Sequence, residues 1–247
     1  MSVLAAFQFL TIAPLRRASP GREIGQSVAW FPLVGLVIGG FLYGLDRLLE
    51  LAFPQILVNI LLIVALIVVT RALHLDGFID TCDGLAGGNS PEARLSVMRD
   101  SRVGAFGVVG ACSLILLLFV SLMVLPEAYR MEALVLMPAI SRWTMVYAIL
   151  AYSYARKGQS LGTAFKEGAG WLRGVAATLI TLAACVGLMR LEGLAVMAAA
   201  WLVSLLAATY LSRKLGGLTG DTYGAINEVV QVSVLILIPL ITWSYEI

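Results

Sequence analysis

The sequence predicts an all-α, polytopic membrane protein with about seven transmembrane helices and a short N-terminal interfacial or re-entrant helix. Three observations predict it. Of the 247 residues 60% are hydrophobic, only 13% are charged, and the charges are bunched so that long windows contain none. A soluble monomer has nowhere to hide that much apolar surface. A mean hydropathy of +0.93 agrees.

Residues 1–13 are apolar but too short to span, and Arg16 and Arg17 follow the apolar run where a signal peptide would carry them before it. This stretch reads as the interfacial or re-entrant helix. Charge-free windows then cover residues 24–45, 51–70, 104–126, 174–189, 193–212 and 229–245, and the window 133–152 is interrupted only by Arg142. Each is near the roughly 20 residues that a spanning helix needs. The connections are too small for a second domain, so residues 1–247 read as a single integral membrane domain with polar loops at about 71–103, 155–173 and 213–228.

The three cysteines, Cys82, Cys112 and Cys185, are far apart and lack metal-ligand spacing, so neither a disulfide framework nor a zinc site is indicated. A net charge of +2, with no basic stretch interleaved with aromatics, argues against nucleic acid. Lipid and a small molecule are the expected partners. Lys and Arg divide unevenly between alternate connections. Thirteen (Arg16, Arg17, Arg22, Arg71, Arg94, Arg99, Arg102, Arg156, Lys157, Lys166, Arg173, Arg213, Lys214) fall on one side and three (Arg47, Arg130, Arg190) on the other. The positive-inside bias places the N-terminus and the longer loops in the cytoplasm; the cell (inner) membrane is the expected location, with any functional site on those loops facing the cytoplasm.

Those loops carry the distinctive polar letters. In His74-Leu-Asp76-Gly-Phe-Ile-Asp80-Thr-Cys-Asp83-Gly84, three carboxylates spaced i, i+4 and i+7 fall within roughly 60° of one helix face. Crowded carboxylates repel unless a cation lies between them, and Mg²⁺ suits oxygen ligands and substrate phosphates. Asp76 and Asp83 would stand about 10 Å apart on a helix, which makes Asp80 the shared ligand. Gly77 and Gly84 threaten that helix, and a solvated acidic loop fits the same letters. His74 reads either as a substrate contact or as a helix-end histidine bonded to backbone.

The pair Arg99 and Arg102 suits phosphate through its planar forks, and equally suits anchoring of a span. The segment Gly216-Gly217-Leu-Thr219-Gly220-Asp221-Thr222-Tyr223-Gly224-Ala225-Ile226-Asn227-Glu228 runs into the last span, where helix N–H groups favour phosphate and Asp221 and Glu228 could add carboxylates. A capped helix start accounts for it as well. Arg142 is the one charge deep in an apolar window, a position read as functional or as an internal ion pair.

In order along the chain, these motifs resemble the cobalamin synthase (adenosylcobinamide-GDP ribazoletransferase) family. The resemblance begins with Phe9-Leu-Thr-Ile-Ala-Pro14 and Trp30-Phe31-Pro32, and runs through His74 to Gly84, Met98 to Gly104 and Ser141-Arg142. It continues with Tyr154-Ala-Arg156 and Leu161-Gly162, and closes with Gly216 to Asp221 and Asn227-Glu228. The chain departs from the family at Arg71-Ala72, where Gly-Gly is frequent, and at Tyr223, where Leu is frequent. The resemblance implies a Mg²⁺-dependent transfer joining adenosylcobinamide-GDP and α-ribazole, or its 5′-phosphate, with release of GMP. It implies Asp76, Asp80 and Asp83 as metal ligands, and Asp221 or Glu228 as a completing ligand or proton acceptor. His74, Arg99, Arg102, Arg142, Thr219, Gly220 and Asn227 become expected substrate contacts. The lipid bilayer, a homo-oligomer and other cobalamin-assembly enzymes are further partner expectations. Two rivals carry less support. A CDP-alcohol phosphotransferase would show Ala-Arg after its first Asp-Gly, and a secondary transporter would place carboxylates near mid-span, where these windows have none.

Overall fold

The computed structural model describes residues 2–13, 25–156 and 161–243. In chain order the helices are α1 (Ser2–Leu10), α2 (Phe31–Leu49), α3 (Gln55–Val69), α4 (Leu73–Gly87), α5 (Pro91–Val97), α6 (Ala105–Met123), α7 (Arg130–Ala151), α8 (Leu161–Gly168), α9 (Trp171–Leu215) and α10 (Gly220–Trp243). Among the described residues no strand forms, and one isolated bridge joins Tyr154 to Leu218. The all-α expectation holds. So does the short first helix: α1 has 9 residues, and at about 1.5 Å each these cannot cross a core of about 30 Å.

α7 is the centre of the bundle. Within its apolar window 83% of residues are buried, against 28% for α6. α2 meets α7 backbone to backbone because Gly35 and Gly39, four apart on one face, lack side chains; a Cβ at Gly39 would stand 2.6 Å from Val135 Cα.

Five helices are long and apolar enough to cross a membrane, or six if the bent pair α3 and α4 is one span, so the expected seven is not reproduced. Two features explain the difference. First, the window 51–70 yields a helix of only 15 residues, about 22 Å long and short of the hydrocarbon thickness. The chain then bends 89° into α4. Second, windows 174–189 and 193–212 belong to one 45-residue helical run, broken at Arg190 by φ 50 and ψ −125. Its two limbs run in opposite directions along α7. On the first limb Gly174 lies against Leu150, and Thr178 Oγ1 accepts from Trp143 Nε1 at 2.9 Å. On the second, Trp201 packs edge-on to Tyr147, and Thr209 Oγ1 lies 2.7 Å from the Tyr152 hydroxyl.

The turn before α4 uses left-handed backbone at Arg71 (φ 54) and Ala72 (φ 53). Such a conformation costs an L side chain roughly 1–2 kcal/mol, and glycine almost nothing. The Gly-Gly that the resembling family often has here thus acquires a conformational reason.

At the far end of the bundle a charged cluster locks three helices together. Arg130, 2% exposed, grips Asp46, which is fully buried, through Nη2 at 2.6 Å and Nε at 2.9 Å, and donates to Asn59 Oδ1 at 2.7 Å. Arg47 adds a 2.7 Å bond to Asp46 and another of the same length to Glu127. Of the cations used to orient the chain, Arg16, Arg17, Arg22 and Lys157 lie outside the described residues.

Candidate active site

At the opposite end, the three polar loops converge. α4 is an unbroken helix from Leu73 to Gly87 despite its glycines, so the expected row of Asp76, Asp80 and Asp83 forms. Gly77 has a packing reason instead: a Cβ there would stand 2.7 Å from the Asp221 carbonyl oxygen, so its absence lets α4 lie against the start of α10. α10 begins with a reciprocal cap, in which the Thr219 N–H donates to Thr222 Oγ1 at 2.7 Å and the Thr222 N–H to Thr219 Oγ1 at 3.3 Å. Both threonines are buried, and Thr219, an expected substrate contact, here builds the helix start.

The loop after α7 pairs with the loop before α10. The Ala155 N–H donates to Leu218 O, and the Leu218 N–H to Ser153 O, each at 2.8 Å. That pairing fixes Arg156 beside Asp221, and its Nη2 donates to Asp221 Oδ2 at 2.6 Å. A cavity of about 290 Å³ opens here, bordered on one side by His74, Asp76, Arg156, Gly220 and Asp221. Asp80, one turn further along α4, stands in the field of Asp76, Asp221, Asp83 and Arg156. Three carboxylates, Asp76, Asp80 and Asp221, therefore face one guanidinium, and that imbalance calls for a cationic ligand. Among the described residues no three His, Cys, Asp or Glu side chains converge tightly enough to form a preset metal cage.

The chain matches the family model for cobalamin-5-phosphate synthase over residues 2–239. It belongs to that family. Proteins named adenosylcobinamide-GDP ribazoletransferase are similar along nearly their whole length. The one from Desulforamulus reducens is 37% identical over 240 residues, 97% of this chain and 96% of the relative. Those from Geotalea daltonii and Synechococcus elongatus are each 40% identical, covering 92% and 91% of this chain and 92% and 90% of the relatives. No solved structure matches the chain.

Against this synthase family background, the remaining expected residues divide. Asp83 is engaged elsewhere: its two oxygens accept from the N–H groups of Gly104 and Gly107, each at 2.7 Å, and so cap α6. Arg99 and Arg102 are exposed and do not border the cavity. Arg102 pairs with Asp100 at 2.6 Å and pulls that carboxyl down to about 2. It borders a separate, shallow groove with Asp83 and Gly104.

A second, buried group begins at His74 on the cavity's edge. His74 is bonded to a side chain and not to backbone, with Asn227 Nδ2 3.1 Å from its Nδ1. Arg142, an expected phosphate contact, is fully buried and is not among the residues that line the cavity. Its Nη1 donates to Pro138 O at 3.0 Å, whereas its Nε and Nη2 have no partner. Glu228, 8% exposed, supplies the opposing charge without a direct ion pair and likewise does not border the cavity.

Sequence reasoning gave Arg156 no role, although Tyr154-Ala-Arg156 is among the motifs of the resemblance. A lone arginine in a loop carries no periodic signal, and only the pairing with Leu218 brings it to Asp221.

Proposed function

We propose that the chain is a membrane-bound adenosylcobinamide-GDP ribazoletransferase, joining adenosylcobinamide-GDP to α-ribazole or its 5′-phosphate and releasing GMP. The observation that carries this is the full-length family match coinciding with one cavity where Asp76, Asp221 and Arg156 meet. A ribose hydroxyl oxygen forms a bond to the phosphorus next to the cobinamide arm, and the bond from that phosphorus to the GMP oxygen breaks. The hydroxyl proton passes to Asp221 or Asp76, the carboxylates that border the cavity. Arg156 offers its guanidinium to the charge left on the departing phosphate.

The oxygen-only donors Asp76, Asp80 and Asp221 fit Mg²⁺, which is commonly held by one or two carboxylates together with substrate phosphates. When bound there, Mg²⁺ would supply positive charge against the diphosphate oxygens. Asp83 fits less well, because its oxygens already cap α6. The CDP-alcohol phosphotransferase and transporter readings gain nothing from the family match. The test is release of GMP by purified protein in detergent, given adenosylcobinamide-GDP, α-ribazole and Mg²⁺. Failure to release GMP, or full activity in excess chelator, would overturn the reaction or its metal respectively.

The same proposal places the site on the cytoplasmic face of the inner membrane. Its support is the thirteen-to-three division of Lys and Arg. Asn89 is exposed on the site end. In a Cys112→Ser background, Asn89→Cys should react with an impermeant thiol reagent only after the inner face is opened, and labelling of intact cells would reverse the orientation.

A further inference from the structure

The lining of this cavity also carries an aromatic cluster. Phe9 of α1, Phe31 of α2 and Phe165 of α8 form one cluster, with ring centroids 4.7 Å apart for Phe9 and Phe165, 5.7 Å for Phe31 and Phe165, and 6.1 Å for Phe9 and Phe31. All three border the cavity. α8 is pinned in place by Lys166, whose ammonium donates to the Ile149 and Leu150 carbonyls, each at 2.9 Å, at the end of α7. Burial pulls that ammonium's pKa down. The cavity lining thus divides between an aromatic cluster, in which half-buried Phe9 is backed by buried Phe31 and Phe165, and the carboxylates of Asp76 and Asp221. This division matches a nucleoside, which joins a planar aromatic base to a hydroxylated sugar.

Size decides between the two substrates. About 290 Å³ lies at the lower edge of small-molecule sites. A single nucleoside suits it, whereas a corrin carrying a nucleoside diphosphate is far larger and must lie mostly outside.

We propose that this cavity is the acceptor subsite, which takes the ribazole nucleoside with its base against Phe9, which Phe31 and Phe165 hold in place, and its ribose toward Asp76 and Asp221. The proposal rests on the ribazole-transfer reading above. It gives the aromatic cluster a specificity role and leaves the donor to approach from the open side, with its diphosphate reaching Arg156.

The test uses the full chain in lipid nanodiscs. Phe9→Leu, at a half-buried position, keeps apolar bulk but removes the flat ring, and Phe165→Leu is the second variant. Calorimetric titration with α-ribazole alone should show Kd rising about 10-fold in both, the scale of one lost base–aromatic stack. The KM for α-ribazole should rise in parallel, while the KM for adenosylcobinamide-GDP stays within about twofold of wild type. Unchanged α-ribazole binding in a variant that melts like wild type, or a loss falling on the donor KM, would overturn the subsite. The titration requires no turnover. Failure of the wild-type protein to release GMP would therefore sink the reaction and still leave the cavity's occupant measurable.

Discussion

Two charged clusters sit at opposite ends of the bundle, and they differ in how well they are satisfied. At the far end Asp46 receives Arg130 and Arg47, and Arg130 also reaches Asn59. The buried Asp46 charge is paired twice, and of the buried side-chain polar atoms of Asp46, Asn59 and Arg130 only Asn59 Nδ2 lacks a partner. At the site end three carboxylates face one arginine, and His74 Nε2, Arg156 Nε, Asn227 Oδ1 and two nitrogens of Arg142 lack partners. Buried polar groups left in this state are costly unless something else completes them. A complete cluster therefore joins helices, and an incomplete one awaits a ligand.

The strongest challenge to that contrast is Arg130→Met. It strands part of the Asp46 charge in the interior and should cost about 3–5 kcal/mol of stability, with kcat/KM of the surviving folded protein unchanged. Asp46→Leu combined with Arg130→Met should recover much of the loss. Thermal melting in detergent checks both, and an Arg130→Met protein as stable as wild type would end the structural assignment.

The site end should respond in the opposite sense. Asp76→Asn, Asp80→Asn and Asp221→Asn should each lower kcat/KM by about 100-fold, near 2.7 kcal/mol, with Asp80→Asn the most damaging and melting little altered. Asp83→Asn should instead lose about 1 kcal/mol of stability, as befits a weakened helix cap. Equal kinetic losses at all four positions would return Asp83 to the metal.

A smaller effect concerns the bend between the two environments. Ala72→Gly should stabilise the protein by about 1 kcal/mol by relieving a left-handed alanine, and denaturant or thermal midpoints would register it. The smallest change is expected from Arg102→Lys. Its exposed pair with Asp100 is worth little, so kcat/KM should stay within about threefold of wild type. A drop of 10-fold or more would bring this arginine back to the substrate.

Much of this was legible from periodicity and charge. The charge-free windows located the spans, the break at Arg190 fell between two of them, and the i, i+4, i+7 spacing of Asp76, Asp80 and Asp83 survived as one helical row. The 89° bend was not legible, because Arg71 and Ala72 adopt left-handed backbone without a glycine to announce it. Asp46 was hidden for a different reason. It stands one residue beyond the window 24–45 and looks like an interfacial charge until Arg130, 84 positions away, folds onto it. The same limit applies to Arg142. Its depth was readable, but whether it faced a cavity or a neighbouring helix depended on α10.

The contact between α4 and α10 also has a consequence for biogenesis. His74 and Asn227 are 153 positions apart, and α10 leaves the ribosome after every other described helix. Through most of translation, then, α4 has neither Asp221 nor Asn227 beside its row of carboxylates. A chain stalled before α10 inserts would already possess most of its apolar bundle yet no working centre. Catalytic competence arrives with the final helix, so incomplete chains in the membrane are chemically silent.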